Sequence, residues 1–152
     1  MTGATRYVEN GWGELNGALI FCPSQVPLPI RADTLITAAE ARWPGKTKTY
    51  PPTCHDKSTS IEIFGEEPAP FFVNLFEGNL LISVDGTPEQ NVVAAAWLRS
   101  LMPQDAPRMV VGDKGFGVHA ELPFGVTPDQ IASTMIRHDS DDWNADDPDL
   151  QW

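Results

Sequence analysis

At 152 residues with 41% hydrophobic content, the chain has enough apolar material for one packed domain and too much for wholesale disorder. It carries 21 acidic against 10 basic side chains, a formal charge of −11 at neutral pH. That field repels a nucleic-acid backbone and attracts a basic surface, so the expected partner is a basic protein and not DNA or RNA.

Met1 to Asn10 holds one basic residue and no apolar run, unlike a secretory signal. No stretch reaches the roughly 18 apolar residues of a membrane span; the nearest, Val92 to Met102, is short and broken by Arg99. Two cysteines, Cys22 and Cys54, are too few for a disulfide scaffold. Both are expected as reduced thiols in a cytoplasmic protein without a membrane partner.

The first apolar run is Ala18 to Phe21, bounded by Gly17 and Pro23, which predicts an edge or lead-in strand. Pro27 and Pro29 then stiffen a connector. A first helix is predicted from Asp33, as cap, to Trp43. Leu35, Ile36, Ala39 and Trp43 form one apolar face, and Pro44-Gly45 stops it. Lys46 to Lys57 reads as a polar connector. Thr59–Phe64, Phe71–Phe76 and Leu80–Val84 read as three strands, the last two joined by a short turn through Gly78.

Thr87-Pro88-Glu89-Gln90 is a helix start. Threonine can cap, proline has the φ of a first turn, and glutamine can reach back to the cap. The helix behind it, with Val92, Val93, Ala96, Trp97 and Leu101, has little polar surface, so it is expected across the sheet as the central core element, ending at Pro103. Arg108–Val111 and Phe116–Leu122 read as a hairpin turning at Asp113-Lys114-Gly115. Thr127-Pro128-Asp129-Gln130 repeats the helix-start signal, with Ile131, Met135 and Ile136 as the apolar face. Asp139 to Trp152 differs in kind. It has six aspartates and no Lys or Arg, leaving fifteen acidic against ten basic residues in the preceding 138. Trp143, Leu150 and Trp152 interrupt that charge.

The expected architecture is therefore α+β: a single domain over residues 1–138 and an acidic, tryptophan-bearing tail over 139–152. Its antiparallel sheet has five or six strands packed with three helices, in the order (β)-α-β-β-β-α-β-β-α. From Asp33 onward this order resembles the small type III secretion chaperone-like family. The resemblance covers about residues 33–138 and rests on element order, size and acidity. It implies an acidic, often dimeric holder of another protein. The segment from Val111 to Pro128, with its Gly-Asp-Lys-Gly-Phe-Gly turn, is similar to hairpin-then-helix segments of bacterial immunity-type proteins. Neither resemblance carries over a binding residue.

Catalytic motifs are incomplete. His119-Ala120-Glu121 matches the His-x-Glu half of a zinc-deaminase signature, but no cysteine follows to complete the ligand set. On a strand the two side chains point the same way, which predicts a polar pair on an exposed sheet face. Cys54-His55-Asp56 gathers ligand types, but adjacent residues rarely converge on one ion, so a polar loop is expected. The Gly112 to Gly117 turn lacks phosphate-loop spacing, and the tail aspartates lack the glycine and glutamate of a calcium loop.

With neither cofactor nor metal implied, the leading reading is a non-catalytic immunity protein that neutralises a cognate bacterial toxin by occluding its active-site cleft. Acidic groups would meet Lys and Arg there, and an aromatic anchor would exclude water. The expected binding residues are Asp141, Asp142, Trp143, Asp146, Asp147 and Trp152 in the tail, then Asp113 in the hairpin and Glu66-Glu67 in a loop. The alternatives are a secretion chaperone or adaptor, which allows a homodimer and an effector held on apolar surface, and an enzyme whose site carries no familiar motif.

Overall fold

A computed structural model describes residues 7–138. The elements are β1 (Ala18–Phe21), α1 (Ala32–Arg42), β2 (Thr47–Tyr50), β3 (Thr59–Ile63), β4 (Phe71–Leu75), β5 (Ile82–Val84), α2 (Pro88–Ser100), β6 (Val110–Asp113), β7 (Val118–Glu121), α3 (Pro128–Ser133) and β8 (Ile136–Arg137). The protein is α+β, as the sequence predicts. Among the described residues the sheet holds eight strands and not five or six, in the order β2-β3-β4-β5-β1-β6-β7-β8, with every neighbouring pair antiparallel.

Two strands account for the difference in number. β2 lies inside the expected polar connector. Its Thr-Lys-Thr-Tyr sequence has no apolar face because it occupies an edge, with Lys48 and Tyr50 exposed and Thr47 and Thr49 only half-buried. β8 is two residues long and continues the ladder beyond β7. Four strands, not three, therefore separate α1 from α2.

The larger correction concerns β1. It is not an edge or lead-in strand but sits mid-sheet, with Ile20 opposite Ile82 on one side and Val111 on the other. Ala18 and Ile20 join the main core under the helices, while Phe21 and Val110 pack together as a second, smaller cluster. Period-two alternation places these two sets on opposite faces of the sheet. A strand buried on both faces can read as a short unbroken apolar run, as Ala18–Phe21 does.

The cap of α1 falls two residues before expectation. Arg31, not Asp33, holds the cap position, and the Asp33 carboxylate accepts the Thr34 N–H at 2.8 Å within the first turn. Leu35, Ala39 and Trp43 are buried as predicted. α2 opens with a complete capping box: Gln90 N–H donates to Thr87 Oγ1 at 3.2 Å, and Thr87 N–H donates to Gln90 Oε1 at 2.9 Å. Thr127 and Gln130 repeat the arrangement at α3. α3 is shorter than expected, so Met135 and Ile136 lie beyond it, Met135 buried in the core and Ile136 in β8.

The segment before β1 is also part of the fold. A short 3-10 turn over Gly11–Gly13 packs on α2 and α3. A side chain at Gly11 would collide with the Ala132 carbonyl, so only glycine permits this approach. Trp12 packs against the core from this turn.

Candidate functional site

Strand sense decides which loops share an end of the sheet. The β3–β4 loop, the start of α2 and the β6–β7 turn all lie where β1 begins, because Ala18 is flanked by Val84 and Asp113. This end gathers Glu66, Glu67, Asp85, Glu89 and Asp113. The chain places Glu66 and Glu67 beside α2 through one side chain. Gln90 Nε2 donates to Ala69 O at 2.8 Å and Glu67 O at 3.3 Å, while its Oε1 serves the capping box.

Between this loop, the end of α1 and the start of α2 runs a groove of about 240 Å³. Its wall is aromatic: Trp43 and Phe71 meet edge to face at 5.8 Å, and Trp43 is also packed edge to face, at 5.0 Å, on Trp97, which lies outside the lining. Its lining includes Glu66, Glu67 and Glu89, with Arg42 as its one cation among the described residues. The Arg42 guanidinium lies 5.2 Å from the Trp43 ring centroid, so an arginine already rests on this surface. Among the described residues none of the three carboxylates is held in an ion pair. Small-molecule sites usually exceed roughly 300 Å³, so this groove has the scale of one long side chain.

Asp113 has a different task. Its Oδ1 accepts the Gly117 N–H at 2.7 Å and the Val118 N–H at 3.1 Å, which fixes the hairpin turn. Beside it Lys114 bonds Asp85 at 2.5 Å. The structure therefore puts Asp113 at the same end as Glu66 and Glu67 but outside the groove. Asp141, Asp142, Trp143, Asp146, Asp147 and Trp152 lie outside the described residues.

His119 and Glu121 do point to one side of β7, but not as an exposed pair. His119 is 1% exposed and His138 8%, and the two rings pack on each other. Sequence reasoning missed this because the partners are nineteen residues apart. Glu121 is held by Arg108 through two hydrogen bonds, of 2.9 and 2.5 Å. The nearby pocket is lined by Arg99, Arg108, Glu121 and Phe124, without His119.

Arg99, which broke the apolar run in the sequence, is buried. It donates to the carbonyls of Leu122 (2.9 Å), Met102 (3.3 Å), Pro103 (3.0 Å) and Gln104 (3.5 Å), tying the end of α2 to the chain beyond β7. Burial pulls its guanidinium down from the ordinary value, and attraction to Cys22 acts the other way. Burial likewise pushes the Cys22 thiol up, against the pull of Arg99. Both cysteines are free, Cys22 buried and Cys54 exposed. The loop around Cys54 is built by Asp56, whose carboxylate accepts from Ser58 N–H and Oγ–H, at 3.0 and 2.6 Å. Among the described residues no three His, Cys, Asp or Glu side chains stand together as a metal site, and no helix is long and apolar enough to cross a membrane.

No family model, curated protein or solved structure matches the chain.

Proposed function

We propose that this chain is an acidic protein-binding module without catalytic activity, an immunity protein that blocks a cognate bacterial toxin by entering or covering its basic cleft in the cytoplasm. The observation that carries the reading is the groove beside Trp43, where Glu66, Glu67 and Glu89 line an aromatic wall. A lysine or arginine from a partner finds there a carboxylate for its charge and a ring for its stem. The net charge of −11 supplies long-range attraction, which accelerates encounter, while the desolvated aromatic contact slows release. The tail residues from Asp141 to Trp152 add charge and two more rings to the same scheme.

The test begins with affinity capture from cells that make the protein, then assays the captured protein's own activity. The reading expects a basic partner whose activity falls to completion at one equivalent. It also expects Glu66→Lys with Glu67→Lys to slow association by about tenfold or more. A partner whose activity is untouched by a saturating complex removes the inhibitory role.

A second reading, a secretion chaperone or adaptor, is favoured by exposed apolar side chains. Phe76, Leu80 and Phe124 are 42%, 49% and 48% exposed. Such a holder binds through apolar contact, so its complex would resist salt and its free form would scatter light as a stable homodimer.

A further inference from the structure

The sheet has one face that the helices do not use. All three helices pack over Ile20, Ile61, Val111 and Ala120, and the connectors before α1 and after α2 turn Leu28 and Met109 into the same core. Period-two alternation along the ladders puts Phe72, Phe21, Val110, His119 and His138 on the opposite face. That face is uneven. Over β2, β3 and β4 it is wet: Tyr50 is 38% exposed, and Glu62, Phe72 and Asn74 are half-buried. Over β1, β6, β7 and the residue after β8 it is dry: Val110 is 0% exposed, His119 1%, Phe21 6% and His138 8%.

Cross-strand neighbours shield the flanks of a side chain on a sheet, but its tip stays in water unless a second layer lies on it. Val110 therefore has a cover, and one chain alone produces this burial, so the cover belongs to the chain itself. Among the described residues no helix or strand lies over the dry half. Phe21, Arg108, His119 and His138 all face it, and none of them is free. Two segments leave the sheet beside it: the residues before Tyr7, which bridges Ile136, and the residues after His138, whose N–H extends the ladder to Gly117 O. Met1 to Arg6 holds no ring, whereas 139–152 holds Trp143, Leu150 and Trp152. The distance from β8 to β6 is two strand spacings, about 10 Å. Trp143 comes five residues after His138, and five extended residues span roughly 17 Å, so its ring reaches β6. Of the described side chains on this half, Glu121 is the one carboxylate, and Arg108 holds it in an ion pair, so little repels an aspartate-rich segment there.

We infer that the segment after His138 folds back over the dry half of the sheet and seats the Trp143 ring against Val110 and Phe21. The seat buries a large ring of an otherwise acidic segment. It also brings the aspartates of that segment to the face opposite the groove, which lies beside α1 and α2. A partner that uses the Trp143 ring must first lift it from this seat. The docking itself does not depend on the proposed toxin-binding role.

The experiment is nuclear magnetic resonance on the full chain, reading the Val110 methyl groups. The expected result is a cross-relaxation contact between the Trp143 indole and those methyls, together with a ring-current shift that Trp143→Ala abolishes. In that variant a soluble paramagnetic agent should also begin to broaden the Val110 methyls, because their cover is gone. Trp143→Phe keeps a smaller ring, so part of the shift should survive, and it provides the readout if the alanine variant does not fold. Val110 methyls that stay shielded and unshifted by either substitution overturn the proposal. So do contacts from Val110 to Met1–Arg6 or to the Trp152 ring in place of Trp143. A sample mixing labelled and unlabelled chains in which the Trp143 contact arises between two molecules overturns it as well.

Discussion

Asn91 shows how much one side chain can hold. It is fully buried, donating to Leu15 O at 2.8 Å and Gly86 O at 3.2 Å and accepting from Gly86 N–H at 2.9 Å. It joins the chain before β1, the β5–α2 turn and α2 itself. Replacing it with leucine of similar bulk leaves those backbone groups unpaired, so Asn91→Leu is expected to lower stability by about 2–3 kcal/mol in a urea titration. Nothing in the sequence separates Asn91 from any polar residue on a helix, because its partners lie far along the chain. Cys22 gives a second residue-scale prediction. Its folded thiol titrates above the unfolded one, so the unfolded state loses its proton first as the solution becomes alkaline. Stability should therefore fall above about pH 8.5, the unfolded thiol's range, and Cys22→Ala should remove that part of the loss in denaturation series run at several pH values. In the native protein a thiol reagent should modify Cys54 quickly and Cys22 only on unfolding.

At the scale of elements, the starts of α2 and α3 were legible, while the cap of α1 and the strand order were not. Thr87 to Gln90 and Thr127 to Gln130 are local signals, and both boxes form as read. Gln90 does more than its motif states, since its amide also carries the loop bearing Glu66 and Glu67. Gln90→Ala is expected to cost about 1 kcal/mol and to speed amide exchange around Thr87, visible by mass spectrometry. The position of β1 between β5 and β6 depends on contacts with residues 62 to 95 positions away, which no local window contains. Because Ile20 is wholly buried in that central strand, Ile20→Ala should cost roughly 2–5 kcal/mol, against the small loss an edge strand would show. β2 was missed for the opposite reason: an edge strand of alternating Thr, Lys and Tyr needs no apolar face to pair with β3.

For the whole molecule, the charge imbalance is visible in composition, and charge alone marks Glu66 and Glu67 as expected binding residues. What surrounds them was not visible. Glu89, Trp43 and Phe71 reach the groove from three separate elements, and only the sheet's antiparallel sense brings them to one end. The central claim is that this acidic, aromatic groove receives a cationic group of another protein. Its most direct measurement is the association rate of the captured partner with the wild-type chain and with Glu66→Lys/Glu67→Lys, at about 50 mM and about 200 mM salt. The account predicts that salt slows the wild type markedly and that charge reversal slows association about tenfold or more at low salt, with a weaker salt dependence left behind. Equal rates for both chains at both salt concentrations, or a partner that is acidic along its contact, would contradict it.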